Sequence, residues 1–172
     1  DFRIDDYINI AHLLKKIGMK VLRVGLESFN PECRKMINKN ISDETLKYAV
    51  KTALENGITT IHFYLIYGLP FENNYQEWFY FIKYLSSLRA MINRPIRFEF
   101  NITNFEPDPN TEFNEKSFID FYYKENVFFP EYFKALKEAG FIKKDMKPDY
   151  GTMKGRLGRR IEAYSITMWL TF

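Results

Sequence analysis

The chain has 172 residues, 46% hydrophobic and 27% charged, with 25 basic against 22 acidic side chains for a net charge of +3. That length carries one domain, or a piece of one, with enough chain to bury a substantial core. Composition excludes a membrane span, because no apolar run is long enough, and one cysteine, Cys33, cannot build a disulfide framework or a site of several thiolates.

Residues 1–20 lack the charged-then-apolar order of a secretory signal, so the expected setting is cytoplasmic. The chain opens on Asp1 rather than Met, which reads as a processed start or an excerpt of something longer. Residues 5–17 set Tyr7, Ile10, Ala11, Leu14 and Ile17 at helical spacing, with Asp5 or Asp6 as the cap and Gly18 as the stop. Lys20 to Val24 then reads as a short strand ending in Gly25-Leu26. The same unit repeats. Ser42 is a good N-cap, and Asp43 and Glu44 fall in the first turn, where the helix dipole favours negative charge. Leu46, Ala49, Val50, Ala53 and Leu54 form an apolar face, and Gly57 ends the helix. A strand from Thr59 to Tyr67 follows, again ending in Gly-Leu at Gly68-Leu69. Its nearly unbroken apolar run predicts cover on both faces. A third helix from about Tyr75 to Leu88 buries Trp78, Phe81, Ile82, Leu85 and Leu88 before Asn93-Arg94-Pro95 breaks it. Ile96, Phe98, Phe100 and Ile102 then alternate with Arg97, Glu99, Asn101 and Thr103, a period-two strand.

Helix, glycine, strand, three times over, is the pattern of successive βα units, whose parallel strands all end on the same side. The predicted fold class is α/β. Residues 1–111 read as a parallel-stranded partial (β/α) barrel, since three repeats are too few to close an eight-fold barrel. Residues 112–172 read as a C-terminal extension, aromatic-rich and then basic. Asn104 to Thr111 is a turn-rich loop, Pro130 opens a short helix that Gly140 closes, and 161–172 fits either a helix or a strand.

Ligands of such sheets meet the carboxyl ends of the strands. Those ends carry Gly25-Leu26-Glu27-Ser28, then Gly68-Leu69-Pro70-Phe71-Glu72, then Asn101, Asn104 and Glu106. A carboxylate beside a hydroxyl suits a ribose or another diol, because both hydroxyl protons find acceptors. The same two residues, Glu27 and Ser28, also read as a helix cap and the start of a turn.

Arg23-Val24-Gly25-Leu26-Glu27-Ser28, followed by Arg34 to Lys39, resembles the fourth strand and following loop of radical S-adenosylmethionine (SAM) enzymes. Glu55-Asn56-Gly57-Ile58, a strand, and Tyr67-Gly68-Leu69-Pro70-Phe71-Glu72 resemble that superfamily's fifth strand and its Gly-Leu-Pro-x-Glu end. Phe105 to Thr111 is similar to the Pro-x-Pro-x-Thr loop of its cobalamin-binding and methylthiotransferase-like branches, and Arg3-Ile4-Asp5 resembles the end of the third strand. The resemblance runs over residues 3–111 and implies the C-terminal half of a catalytic barrel. It further implies SAM, a [4Fe-4S] cluster and, in that branch, cobalamin. By the same resemblance Glu27 and Ser28 meet the SAM ribose and the backbone of Ile66 to Gly68 packs beside the adenine. Glu72 organises its loop, and Arg3 reaches the SAM carboxylate. Tyr64 stands where the family's adenine motif often has glycine. The Cys-x-x-x-Cys-x-x-Cys loop of the family is not in this sequence, so either the implied cluster lies on a missing N-terminal half, the expectation that a start at the third strand favours, or the protein is a degenerate relative; this fragment alone is expected to be inactive. In the full-length protein the cluster and SAM together start radical chemistry on an unidentified substrate.

Other residues have plainer readings. His62 reads as a satisfied core histidine and His12 as solvated, and no His, Asp or Glu spacing fits a metal centre. Cys33 follows Asn30-Pro31-Glu32 near a candidate helix start, a placement that lowers a thiol's pKa. Residues 143–160 hold seven basic side chains against two acidic ones, a solvated face or a site for RNA phosphates or an anionic substrate. Two further functional readings therefore accompany the first: a cluster-less binding module of the same fold, and RNA or anionic-ligand binding through that basic segment. The open sheet edges of a half-barrel predict self-association.

Overall fold

The computed structural model describes residues 3–67, 69, 72, 76–105, 134–140, 151–152 and 164–168. Three βα-type units dominate it. In chain order the elements are α1 (Ile4–Lys16), β1 (Val21–Glu27), α2 (Pro31–Met36), α3 (Asp43–Glu55), β2 (Thr60–Tyr67), α4 (Gln76–Met91), β3 (Arg97–Asn104), β4 (Gly151–Thr152) and β5 (Tyr164–Met168). The sheet runs β1-β2-β3-β5-β4. β1, β2 and β3 are parallel, as crossover helices require, and β5 joins β3 antiparallel. Segment 161–172, which fitted either a helix or a strand, therefore contains a strand that joins the sheet beside β3.

Local chemistry explains the helix ends. In α1, α2 and α3 the chain closes in a Schellman arrangement. After α1, Gly18 donates to the Lys15 carbonyl and Met19 to that of Leu14; after α3, Gly57 donates to Leu54 and Ile58 to Ala53. At α2 the left-handed position is Asn38, with φ 64, whose N–H reaches the Lys35 carbonyl while Lys39 donates to that of Arg34. Asparagine in glycine's place is why α2 is hard to see in the sequence. At its other end Asn30 caps the Glu32 and Cys33 N–H groups and Pro31 occupies the first turn. Ser42 caps α3 as expected, accepting from Thr45. The cap of α1 is a correction: Arg3, not Asp5 or Asp6, precedes the first turn and offers no side-chain cap, and Ile4 and Asp5 are helical rather than the end of a strand.

The core lies on one face of the sheet. Leu22, Val24 and Leu26 of β1, Ile61, Phe63 and Leu65 of β2 and Phe98 and Phe100 of β3 meet the apolar sides of α3 and α4 in one buried cluster. Phe29 is its aromatic hub, stacked on Phe81 at 4.5 Å and edge-on to Trp78 at 5.4 Å and Phe63 at 5.5 Å. The opposite face carries Arg23 and Gly25 of β1, His62 and Tyr64 of β2, and Glu99 and Asn101 of β3, side by side in register. Tyr64 there is 38% exposed, so β2 is covered on one face and half-open on the other, against the expectation of two covered faces. Helices outside and polar side chains inside is the section of a partial (β/α) barrel.

Candidate functional site

Because β1 and β2 are parallel neighbours, their carboxyl ends form one rim. Glu27 pairs with Leu65 across a register shift that follows Gly25, so the end of β1 is bulged. Glu27 takes φ 68, a left-handed conformation that costs a side-chain-bearing residue about 1 kcal/mol and clusters at functional positions. A bulge re-aims the side chain that follows it. Here it brings Glu27 Oε1 within 3.4 Å of where a Gly25 Cβ would stand, with Lys39 Nζ at the same distance. Gly25 thus leaves room for a charge pair on the inner face. Lys39 donates to Glu27 Oε1 at 2.5 Å and to the Gly25 carbonyl at 2.6 Å. Both charged side chains keep about a quarter of their surface in solvent. The pairing of Lys39 with Glu27 is a feature that sequence reading passes over. Its signal is the Asn38 helix stop, which turns the chain back towards β1.

The two rim loops are joined behind this pair. Ser28 donates its hydroxyl to Glu72 Oε1 at 2.5 Å, and Trp78 Nε1 donates to the same oxygen at 2.7 Å. Ser28 Oγ also accepts from the Asn30 N–H at 3.0 Å. Glu72, from the loop after β2, is fully buried and ties β1's loop to α4. That is the loop-organising part expected of it. Ser28 is likewise fully buried, so its hydroxyl faces the protein and not the rim. Arg34, also fully buried, supplies a second brace, donating to the carbonyls of Ile41 at 2.8 Å and Ser28 at 3.1 Å and to Asp43 Oδ1 at 2.5 Å.

The other expected site residues fall as follows. Ile66 lies half-buried near the end of β2, at the rim beside Glu27, while Gly68 lies outside the described residues. Arg3 stands exposed at the N-terminus of α1, its guanidinium bonded to Asp5 at 3.0 Å. Glu106, the rest of 106–133 and, apart from Gly151 and Thr152, the basic segment 143–160 lie outside the described residues.

Cys33 corrects an expectation. Burial, reinforced by the neighbouring Glu72 carboxylate, pushes its thiol up to about 12 rather than down. It is expected to resist thiol reagents at mildly alkaline pH in the folded chain and to react on unfolding in urea; stoichiometric labelling of the folded chain contradicts this. His62 is paired through Nδ1 with Glu99 Oε2 at 2.7 Å, a satisfied histidine as expected, though on the polar face. Among the described residues no group of His, Cys, Asp and Glu has the makings of a metal site, and no helix is long and apolar enough to cross a membrane.

A parallel α/β sheet with a polar inner face and a shared rim at the ends of β1 and β2 defines a partial (β/α) barrel. Residues 1–85 match the family model of the Radical SAM superfamily. A solved structure, the radical SAM enzyme coproporphyrinogen III oxidase (HemN) from Escherichia coli, superposes with a TM-score of 0.50 at 18% identity, over 96% of this chain and 33% of that one, which shows the fold. The uncharacterized protein MJ0966 of Methanocaldococcus jannaschii is 26% identical over 129 residues, 74% of this chain. The chain spans 27% of the length of that curated relative. The matching model is that of the superfamily as a whole, and neither comparison supports the cobalamin-binding or methylthiotransferase-like branch.

Proposed function

We propose that the chain supplies the SAM-binding rim and part of the substrate wall of a radical SAM enzyme. The observation that carries this reading is the Ser28–Glu72 bond, which holds the loops after β1 and β2 together around the Glu27–Lys39 pair. Glu27 accepts the two ribose hydroxyls, its second oxygen being available beside the one that Lys39 uses. Lys39 offers its ammonium to the carboxylate of the methionine part. The backbone from Ile66 to Gly68 lies along the adenine, and Arg3 is a more distant contact for the carboxylate. Ser28 acts through Glu72, holding the rim instead of touching the ligand.

The residues present fit SAM and do not fit the cluster. One buried thiol with its pKa raised to about 12 is not a ligand set for iron, so no step through the cluster belongs to this chain. In this reading the cluster is carried by a further barrel segment, which would pair with β1, an edge strand of the sheet among the described residues.

The test is calorimetric titration of the protein with SAM, adenosine and methionine. Lys39→Met is expected to weaken SAM and methionine and to leave adenosine unchanged, whereas Glu27→Ala weakens SAM and adenosine. Equal losses on adenosine and methionine in both variants would remove these assignments.

A further inference from the structure

The inner face holds a second set of groups, set back from the rim. Arg23, His62 and Glu99 are direct Cα partners across β1, β2 and β3. Adjacent strands lie about 4.8 Å apart, so the row spans about 10 Å at the level of the backbone. His62 Nδ1 lies 2.7 Å from Glu99 Oε2, and Arg97 Nη1 lies 3.5 Å from Glu99 Oε1. Both carboxylate oxygens are engaged. Glu99 keeps 4% of its side chain in solvent and His62 14%, while Arg97 keeps 42%. Arg23 is exposed on β1 and faces the same surface. A carboxylate accepts only, so the proton between Glu99 and His62 belongs on Nδ1, and in the neutral ring Nε2 keeps a lone pair. Two arginines, one carboxylate and one neutral imidazole leave the row with a positive balance.

We propose that His62 is a proton acceptor on the inner face for an anionic substrate held by Arg23 and Arg97, with Glu99 as its positioning residue. The proposal rests on the inner face being the reaction cleft, as in the reading above. In the step, a substrate O–H or N–H proton passes to Nε2, a new N–H bond forms, and the electron pair of the broken bond stays on the substrate. Glu99 then faces an imidazolium and stabilises it. Burial holds the imidazole below its ordinary pKa against the pull of Glu99, and Arg23 and Arg97 push the same way as burial, so the ring is neutral at neutral pH and its Nε2 can accept a proton. These are the charged groups facing it from β1 and β3 among the described residues. The need for Glu99 is geometric: without a carboxylate partner, the ring is free to turn and to protonate at the other nitrogen.

The experiment is nitrogen NMR of the histidine-labelled chain, in which His12 and His62 are the only two histidines. It is read during titration with inorganic phosphate or succinate at fixed ionic strength. His62 is expected in the Nδ1–H form at neutral pH. Either dianion shifts His62 and not His12 saturably and raises the pKa of His62. Phosphate saturating first identifies a phosphorylated substrate, and succinate saturating first a carboxylate. Arg23→Gln, on an exposed strand position, raises half-saturation about tenfold, the value of a lost charge-assisted hydrogen bond. Glu99→Leu moves His62 towards the Nε2–H form. An Nε2–H ring in the wild type, no saturable response to either anion, equal responses of the two histidines, or an unchanged tautomer in Glu99→Leu each overturns the proposal. None of these readouts involves SAM, so failure here leaves the Glu27–Lys39 rim standing, and failure of the rim leaves these readouts intact.

Discussion

Replacing Arg34 with leucine is expected to destabilise the chain by about 3–5 kcal/mol, measured by urea unfolding, because it breaks a buried ion pair and leaves its partners behind. The guanidinium has no solvent exposure and makes three bonds, to the Ile41 and Ser28 carbonyls and to Asp43. Leucine fills some of the volume but satisfies none of those acceptors. Asp43 is 22% exposed and sits in the first turn of α3, where the dipole softens its loss, so the cost falls mainly on the two carbonyls. Arg34→Lys recovers only part of the stability, since a compact ammonium cannot serve three acceptors arranged around a planar fork. The effect reaches the rim as well. Arg34 holds the carbonyl of Ser28, the residue after Glu27, so SAM affinity falls along with stability. A loss below about 1 kcal/mol, the range of an exposed pair, contradicts this account of the loop.

The second large effect falls on Glu27 and separates binding from folding. Glu27→Ala is expected to weaken SAM by at least about 100-fold, because two hydroxyls lose a charged acceptor and each such bond contributes about 1.5–3 kcal/mol. Glu27→Gly loses the same acceptor but also releases the left-handed strain at φ 68. That release is about 1 kcal/mol, against a partly exposed ion pair with Lys39 that contributes about 0.5 kcal/mol, so the glycine variant folds at least as stably as the wild type. A more stable protein that no longer binds its ligand is the expected signature of strain held at a working residue. If Glu27→Gly destabilises and binds normally, Glu27 is a structural turn and the rim is elsewhere.

The repeated unit was legible because three strong signals agreed: apolar periodicity in α3 and α4, a capping serine at Ser42, and glycine stops at Gly18 and Gly57. The common end of β1 and β2 was legible for the same reason, since parallel strands put Gly25-Leu26-Glu27 beside the end of β2. Other features depended on long-range contacts that no local pattern carries. Ser28 has the look of a ligand-binding hydroxyl, and only the approach of Glu72, 44 residues on, turns it inward. Arg34 is buried only through its bonds to Ile41, Ser28 and Asp43. Cys33 sits near a helix start, yet burial beside Glu72 outweighs the dipole. The half-open face of β2 was hidden because Tyr64 and Ile66 are apolar by composition while lining a polar cleft. The alternation in β3 did show, since Arg97, Glu99 and Asn101 are unmistakably polar.

The most direct test of the central claim is formation of 5′-deoxyadenosine from SAM by the complete protein, reconstituted anaerobically with iron, sulfide and a reductant, in wild-type and Glu27→Ala forms. The wild type is expected to form product, and the substitution to raise the SAM concentration for half-maximal rate by at least about 100-fold. No product from a wild-type protein with its cluster intact, or the same half-saturation in both forms, would contradict the claim.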